Sequence, residues 1–250
     1  MEFIEQHPKK SWNWSFISLH PNITMEIIEN DLKNPKNKQK PWNWKYISMN
    51  PNITMEIIEN DLKNPENEQK PWNWLYVSQN PNLTMKFIEK HHDKPWSWFW
   101  ISANQNIAIK DIEDHHDKPW SYNGMSKNPN ITMEFIEKYP NENHPDHPDD
   151  PWNWRYISMN PNITIEFIEK HPDEDHPDYP WNWYYVSQNP NITIEIIEND
   201  LKKPENEQKP WNWGGISKNS NITMKFIESN KNKIKFDKLS ENTFGKKHIW

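Results

Sequence analysis

Four stretches set imidazole beside carboxylate: His91-His92-Asp93, His115-His116-Asp117, the run His144-Pro145-Asp146-His147-Pro148-Asp149-Asp150, and the run His171-Pro172-Asp173-Glu174-Asp175-His176. Such donors can bind Zn²⁺ or Ni²⁺, and His144, His147, His171 and His176 are the candidate ligands. They lack the spacing of a ligand set on one helix face, and their proline-rich setting favours a solvated loop. The sequence therefore reads as binding no metal. With only 4 Gly there is no glycine-rich phosphate loop, and no cofactor is expected. Cysteine is absent, which removes thiol chemistry and disulfides together.

A catalytic constellation is needed once, yet the remaining polar residues recur throughout. The repeated phrase is Pro41-Trp42-Asn43-Trp44-Lys45-Tyr46-Ile47-Ser48-Met49-Asn50-Pro51-Asn52-Ile53-Thr54-Met55-Glu56-Ile57-Ile58-Glu59. Its first Trp falls at Trp12, Trp42, Trp72, Trp96, Trp120, Trp152, Trp181 and Trp211, which makes eight copies. Ser48 and its equivalents are read as bonding backbone near a helix end. Asn50 and Asn52 are read as turn residues stacked in ladders. The Trp residues could line a groove for carbohydrate or a polyproline ligand, but core packing is the favoured role. The chain is expected not to be an enzyme.

The elements follow from spacing. The first Trp and the Thr are always 12 residues apart, with Ala108 replacing Thr in the fourth copy. From Glu59 and its equivalents to the next Trp the distance runs from 7 to 15 residues, so length variation is confined to one connector. Thr54 suits an N-cap, and Ile53 with Ile58 forms the hydrophobic staple across it. Glu56 and Glu59 lie where the helix dipole favours acid, and Met55, Ile58 and Leu62 extend an apolar stripe. This segment is helix B. The Trp-rich segment is read as helix A, with Pro41 at its first position and Asn50-Pro51 as its stop. Period-two alternation in Trp42-Asn43-Trp44-Lys45-Tyr46 keeps a strand open as the alternative. Trp44 and Ile47 share a face of helix A, and Trp42 points elsewhere, toward the neighbouring unit.

Two short helices cannot bury their apolar faces alone, so the expected fold is all-α, an α-solenoid of eight two-helix repeats with half-repeat caps at both ends. It is read as one domain over residues 1–250. Residues 1–10 form an N-terminal half-repeat, because Met1-Glu2-Phe3-Ile4-Glu5 matches Met133-Glu134-Phe135-Ile136-Glu137. Residues 11–230 hold the repeats. Residues 231–250 form a degenerate cap, where the stretch from Ile234 to Asn242 aligns with Trp211 to Asn219 and both Trp are replaced.

Composition narrows the partners. Leu, Ile, Val and Phe supply 47 of 250 residues, low enough to suggest disorder in a chain without Trp. Here 17 Trp offset that, since each one buried removes ~150–250 Å² from water. The formal charge is −7 and Arg155 is the only Arg, so the basic stripe of a nucleic-acid reader is missing. No apolar run nears the ~20 residues of a membrane span, and the N-terminus lacks a leader pattern. An intracellular monomer with an unidentified protein partner is expected, free of nucleic acid and membrane. The fourth position of helix A varies within the fixed frame: Ser15, Lys45, Leu75, Phe99, Asn123, Arg155, Tyr184, Gly214. Of these, Lys45, Leu75, Phe99, Arg155 and Tyr184 are the candidate partner-binding residues.

The phrases Pro-Trp-Asn-Trp, Ile-Ser-x-Asn-Pro-Asn-Ile-Thr and Met-Glu-Phe-Ile-Glu-Lys resemble tandem repeats of uncharacterised proteins in giant DNA viruses of amoebae, the mimivirus relatives. The likeness covers nearly the whole chain. It implies a viral origin and a place in the host cytoplasm, the viral factory or the virion, and it brings no catalytic residue or ligand. The expected function is a protein-interaction scaffold, with a structural component of a virion or viral factory as the alternative.

Overall fold

A computed structural model describes residues 2–7, 9–33, 40–65, 68–140, 152–171 and 181–242, and among them every regular element is helical. They fall into two compact units, Met1–Trp120 and Ser121–Trp250. In the first unit α1 (Glu2–Gln6) precedes four helix pairs: α2 (Trp14–Leu19) with α3 (Met25–Leu32), α4 (Trp44–Ser48) with α5 (Met55–Asp61), α6 (Trp74–Val77) with α7 (Met85–Lys90), and α8 (Trp98–Ser102) with α9 (Ile109–Asp114). In the second, α10 (Tyr122–Met125) pairs with α11 (Met133–Lys138), α12 (Trp154–Ile157) with α13 (Ile165–Lys170), α14 (Trp183–Gln188) with α15 (Ile194–Asp200), and α16 (Trp213–Lys218) with α17 (Met224–Ser229), before a closing α18 (Phe236–Leu239). Even-numbered helices from α2 to α16 are the A helices and their partners the B helices. Helix A packs on helix A of the next repeat, as α2 on α4 on α6 and α14 on α16 on α18. Each unit is thus a stack of two-helix repeats, the α-solenoid arrangement. Helices this short are unstable singly in water, and the stacking holds them.

The A segment is a helix, but it opens later than Pro41. Asn43 is the N-cap, with extended backbone (φ −98°, ψ 99°) and a side chain that accepts the Lys45 N–H, so the helix begins at the second Trp. The Asn between the two Trp caps five further A helices in the same way, and Ser121 does so for α10. The period-two look of Trp-Asn-Trp is therefore real but only two residues deep. It belongs to the extended approach to a helix, and the ladder partners a strand would need are supplied by the cap instead.

Helix B follows its sequence signals closely. Thr24, Thr54, Thr84, Thr132, Thr164, Thr193 and Thr223 each accept an N–H three residues on. In α9 the cap is Ala108, and the Asp111 carboxylate takes its N–H at 2.8 Å instead. The staple residues Ile53 and Ile58 are both fully buried.

Between repeats the joint is made of Trp and Asn. The second Trp of one repeat meets the first Trp of the next edge-to-face: Trp14–Trp42 at 5.2 Å, Trp44–Trp72 at 5.4 Å, Trp154–Trp181 at 4.7 Å and Trp183–Trp211 at 5.4 Å between centroids. This is the favoured geometry of aromatic pairs, worth about 0.5–1.5 kcal/mol beyond burial. Beside it, Asn80 Nδ2 donates to the carbonyls of Ser48 (2.9 Å), Asn50 (3.3 Å) and Ile53 (2.9 Å) in the preceding repeat, while its Oδ1 accepts the Asn82 N–H. Asn50, Asn104, Asn160, Asn189 and Asn219 make the same kind of backward bond. Asn82 runs a second, parallel rung to the Pro51 carbonyl. Ser48 completes the joint, donating to the Trp44 carbonyl and accepting the Asn73 N–H of the next repeat. After α17, Lys235 N–H and Asn242 Nδ2 bond Ser217 in the same pattern, so α18 follows the rules of an A helix without Trp.

Candidate interaction face

Ser, Asn and Trp are used in joining repeats and Thr in capping helix B, so on the A helices it is the variable positions that are left to face outward. Lys45, Leu75 and Arg155 are exposed there, while Phe99 and Tyr184 are half-buried. Phe99 lies edge-on to Trp100 at 4.9 Å, and Tyr184 lies edge-on to Tyr185 at 5.3 Å. Ser15 and Asn123, at the same position, accept from the cap residues Asn43 (3.0 Å) and Asn153 (3.2 Å) of the following repeats. Gly214 places no side chain on this face.

The next position along each A helix was not singled out by the sequence, and it is aromatic in six of eight repeats: Phe16, Tyr46, Tyr76, Trp100, Tyr156 and Tyr185, with Gly124 and Gly215 in the other two. The Tyr46 and Tyr76 rings meet at a tilt, 5.9 Å between centroids. Phe16 is 72% exposed, Leu75 45% and Met159 46%, so half of the large apolar side chains found exposed among the described residues lie on this face. The signal was present as a column of aromatics one residue after the variable one, but it was masked by the conserved-looking Trp pair before it.

Charge is segregated in the same way. The A helices contain four cations in or directly after them, Lys45, Lys127, Arg155 and Lys218, and no Asp or Glu. The B helices carry exposed Glu26, Glu56, Glu134, Glu166 and Glu195 in their first turns. No protein-family model, curated protein or solved structure matches this chain. Its chemistry must be read from its own side chains.

The histidine stretches divide. His144, His147 and His176 lie outside the described residues. His171 caps α13, sets Nε2 3.3 Å from Glu137 Oε1 and lends its carbonyl to the Trp181 indole at 2.7 Å. His91 and His115 also lend carbonyls to the next Trp, at 2.8 Å each, and His115 faces Glu89 at 3.2 Å. Among the described residues no three His, Asp or Glu converge as a metal site would require.

Buried acids were also missed. Asp31, Asp61 and Asp200 lie in the last turns of their B helices and are buried, each accepting the indole N–H of the next Trp. Asp61 also accepts from the Lys70 backbone N–H (2.9 Å) and Nζ (2.8 Å). Burial opposes ionisation of Asp31, Asp61 and Asp200, but lysine and indole hydrogen bonds outweigh it and hold each below the usual Asp value. Lys70 reaches back to Glu29 of the preceding repeat as well, at 3.1 Å. Gln69 closes the same connector by donating to the Leu62 and Asn64 carbonyls. The clue in the sequence was co-occurrence: Asn-Asp-Leu always comes with Gln-Lys-Pro-Trp, at Asp31, Asp61 and Asp200 alike. The described ends of these connectors are fastened to the core.

Proposed function

We propose that this protein is a non-enzymatic scaffold whose partner-binding surface is the outer face of its A helices. One observation carries this reading. The recurring Ser and Asn side chains join repeats and the Thr caps helix B, whereas the residues that differ between repeats are on a face that exposes apolar side chains and whose helices carry no Asp or Glu. Variation within a rigid frame is how repeat arrays distinguish partners, and exposed apolar residues gathered on one face of a surface rich in Lys and Glu mark a contact region. A viral origin and an intracellular location fit the repeat phrases and remain part of this proposal. No helix among the described residues is long and apolar enough to cross a membrane.

The test is site-specific photocrosslinking from position 155, on the A face, against position 166, on a B helix. Saturable capture of one protein from 155 only is expected. Equal capture from both positions, or none, removes the proposal. The alternative, a structural element of a virion or viral factory, draws support from the Asn rungs that tie each repeat to its neighbour. Abundance in purified particles would favour it.

A further inference from the structure

The A face of the first unit sets free donors beside bare rings. Helices α2, α4 and α6 pack in sequence order, which lines up Phe16, Tyr46 and Tyr76, with Lys45 and Leu75 one position before the last two. Phe16 is 72% and Leu75 45% exposed, and Tyr46 and Tyr76 are half-buried. The two Tyr rings meet at a tilt of 54° with centroids 5.9 Å apart, so apolar surface continues from one repeat to the next. Among the described residues neither Tyr hydroxyl has a hydrogen-bond partner, and the Lys45 ammonium has no ion pair. None of α2, α4 and α6 contains Asp or Glu. A phenol can donate and an ammonium only donates, so the strip joins apolar area to donors.

We infer that this strip seats a proline-rich segment of another protein in the polyproline II conformation. This deepens the scaffold reading and rests on it. Such a segment lacks an N–H at each Pro, and its carbonyls have no internal partner. It therefore brings acceptors to Tyr46, Tyr76 and Lys45, and apolar pyrrolidine rings to Phe16 and Leu75. A β-strand would bring an N–H with every carbonyl, and this face has no carboxylate of its own helices to receive them. A helix satisfies its own backbone and would leave both hydroxyls unused. Spacing agrees as well. Packed helices lie about 8–10 Å apart, and one polyproline turn of three residues advances ~9.3 Å, so every third residue meets a new repeat. The ligand is ordered before it binds, which lowers the entropy lost on a surface this small.

The test is a phage-displayed random-peptide library selected on the full chain. The expected pool is rich in Pro recurring at every third position. Tyr46→Phe/Tyr76→Phe keeps both rings and removes both donors, and it should weaken synthetic copies of the enriched peptides at least about fivefold. Phe16→Ala, at an exposed position, should weaken them at least about threefold. Far-UV circular dichroism checks that each variant is folded, and Phe16→Ala carries the test alone if the Tyr variant is not. A pool without Pro enrichment that both variants weaken overturns the polyproline assignment and leaves the scaffold reading standing. A Pro-rich pool that neither variant weakens overturns it too, because the ligand then sits elsewhere. No enrichment overturns both readings. Cellohexaose that binds more tightly than the selected peptides also overturns it, in favour of carbohydrate.

Discussion

The indole of Trp72 donates to Asp61 Oδ2 at 2.7 Å, across a connector that leaves the end of one repeat and returns at the start of the next. Asp61 has a side chain only 2% exposed, and Lys70 closes over it. Removing the carboxylate strands a buried indole N–H and leaves the Lys70 ammonium with Glu29 alone. Asp61→Ala should cost about 2–4 kcal/mol, read as a lower urea midpoint, whereas Asp61→Asn, which still offers the indole an acceptor, should cost less. Equal losses for both variants would show that the hydrogen bond to Trp72 is unimportant.

The same groups set the acid limit of the fold. Asp31, Asp61 and Asp200 are held below the ordinary Asp value of 3.8. A depressed folded-state pKa gives stability that is complete above the unfolded value and is lost as pH falls through the folded one. Stability should therefore begin to fall below about pH 4, and Asp61→Asn should flatten part of that slope. Lys70 is raised, with burial opposed by its bonds to Asp61 and Glu29, so its contribution should persist until pH rises through that elevated value. Thermal melts between pH 2 and 7 would check the acid limb.

Two adjacent glycines in α16 should behave differently. A Cβ on Gly215 would collide with the Tyr184 carbonyl oxygen and lie 2.9 Å from Ser187 Cβ, so α16 would have to move off α14. A Cβ on Gly214 would meet Asn212 Oδ1 at 3.1 Å and Tyr184 Cε2 at 3.5 Å, which small side-chain shifts relieve. Gly215→Ala should cost about 1–3 kcal/mol as an overpacked contact. Gly214→Ala should cost well under 1 kcal/mol, because better helix propensity offsets the crowding. Denaturation midpoints in that order would support the close helix approach, and the reverse order would refute it.

Asn80 faces three carbonyl oxygens. Asn80→Asp keeps the shape and replaces two donors by a buried charge aimed at acceptors. The expected loss is at least about 3 kcal/mol at neutral pH, shrinking in acid as the carboxyl is protonated. Hydrogen exchange should show the disruption concentrated in the repeats on either side of Asn80, since each repeat depends on its neighbours.

Helix B was legible in the sequence because its cap, staple and dipole signals all act within a few residues of one another, as in Ile53, Thr54, Glu56 and Ile58. Helix A was legible as an element, but it starts at Trp44, three residues past the proline expected to open it. Pro41 suits a first helical position, while the Asn43 cap competes for the same task and wins, since its side chain accepts the Lys45 N–H directly. The sequence also marked Asn50 and Ser48 as structural, because no catalytic site occurs eight times.

By itself the sequence determined the repeat, its fixed 12-residue frame and the helical class, all of which are local or periodic properties. Only the tertiary structure decided what the described Trp touch, that Asp61 is buried under Lys70, and which large apolar side chains are left exposed on the A helices. Those facts depend on contacts between residues about 30 positions apart, such as Asn80 with Asn50. Spacing along one repeat carries no record of which way the next repeat is turned.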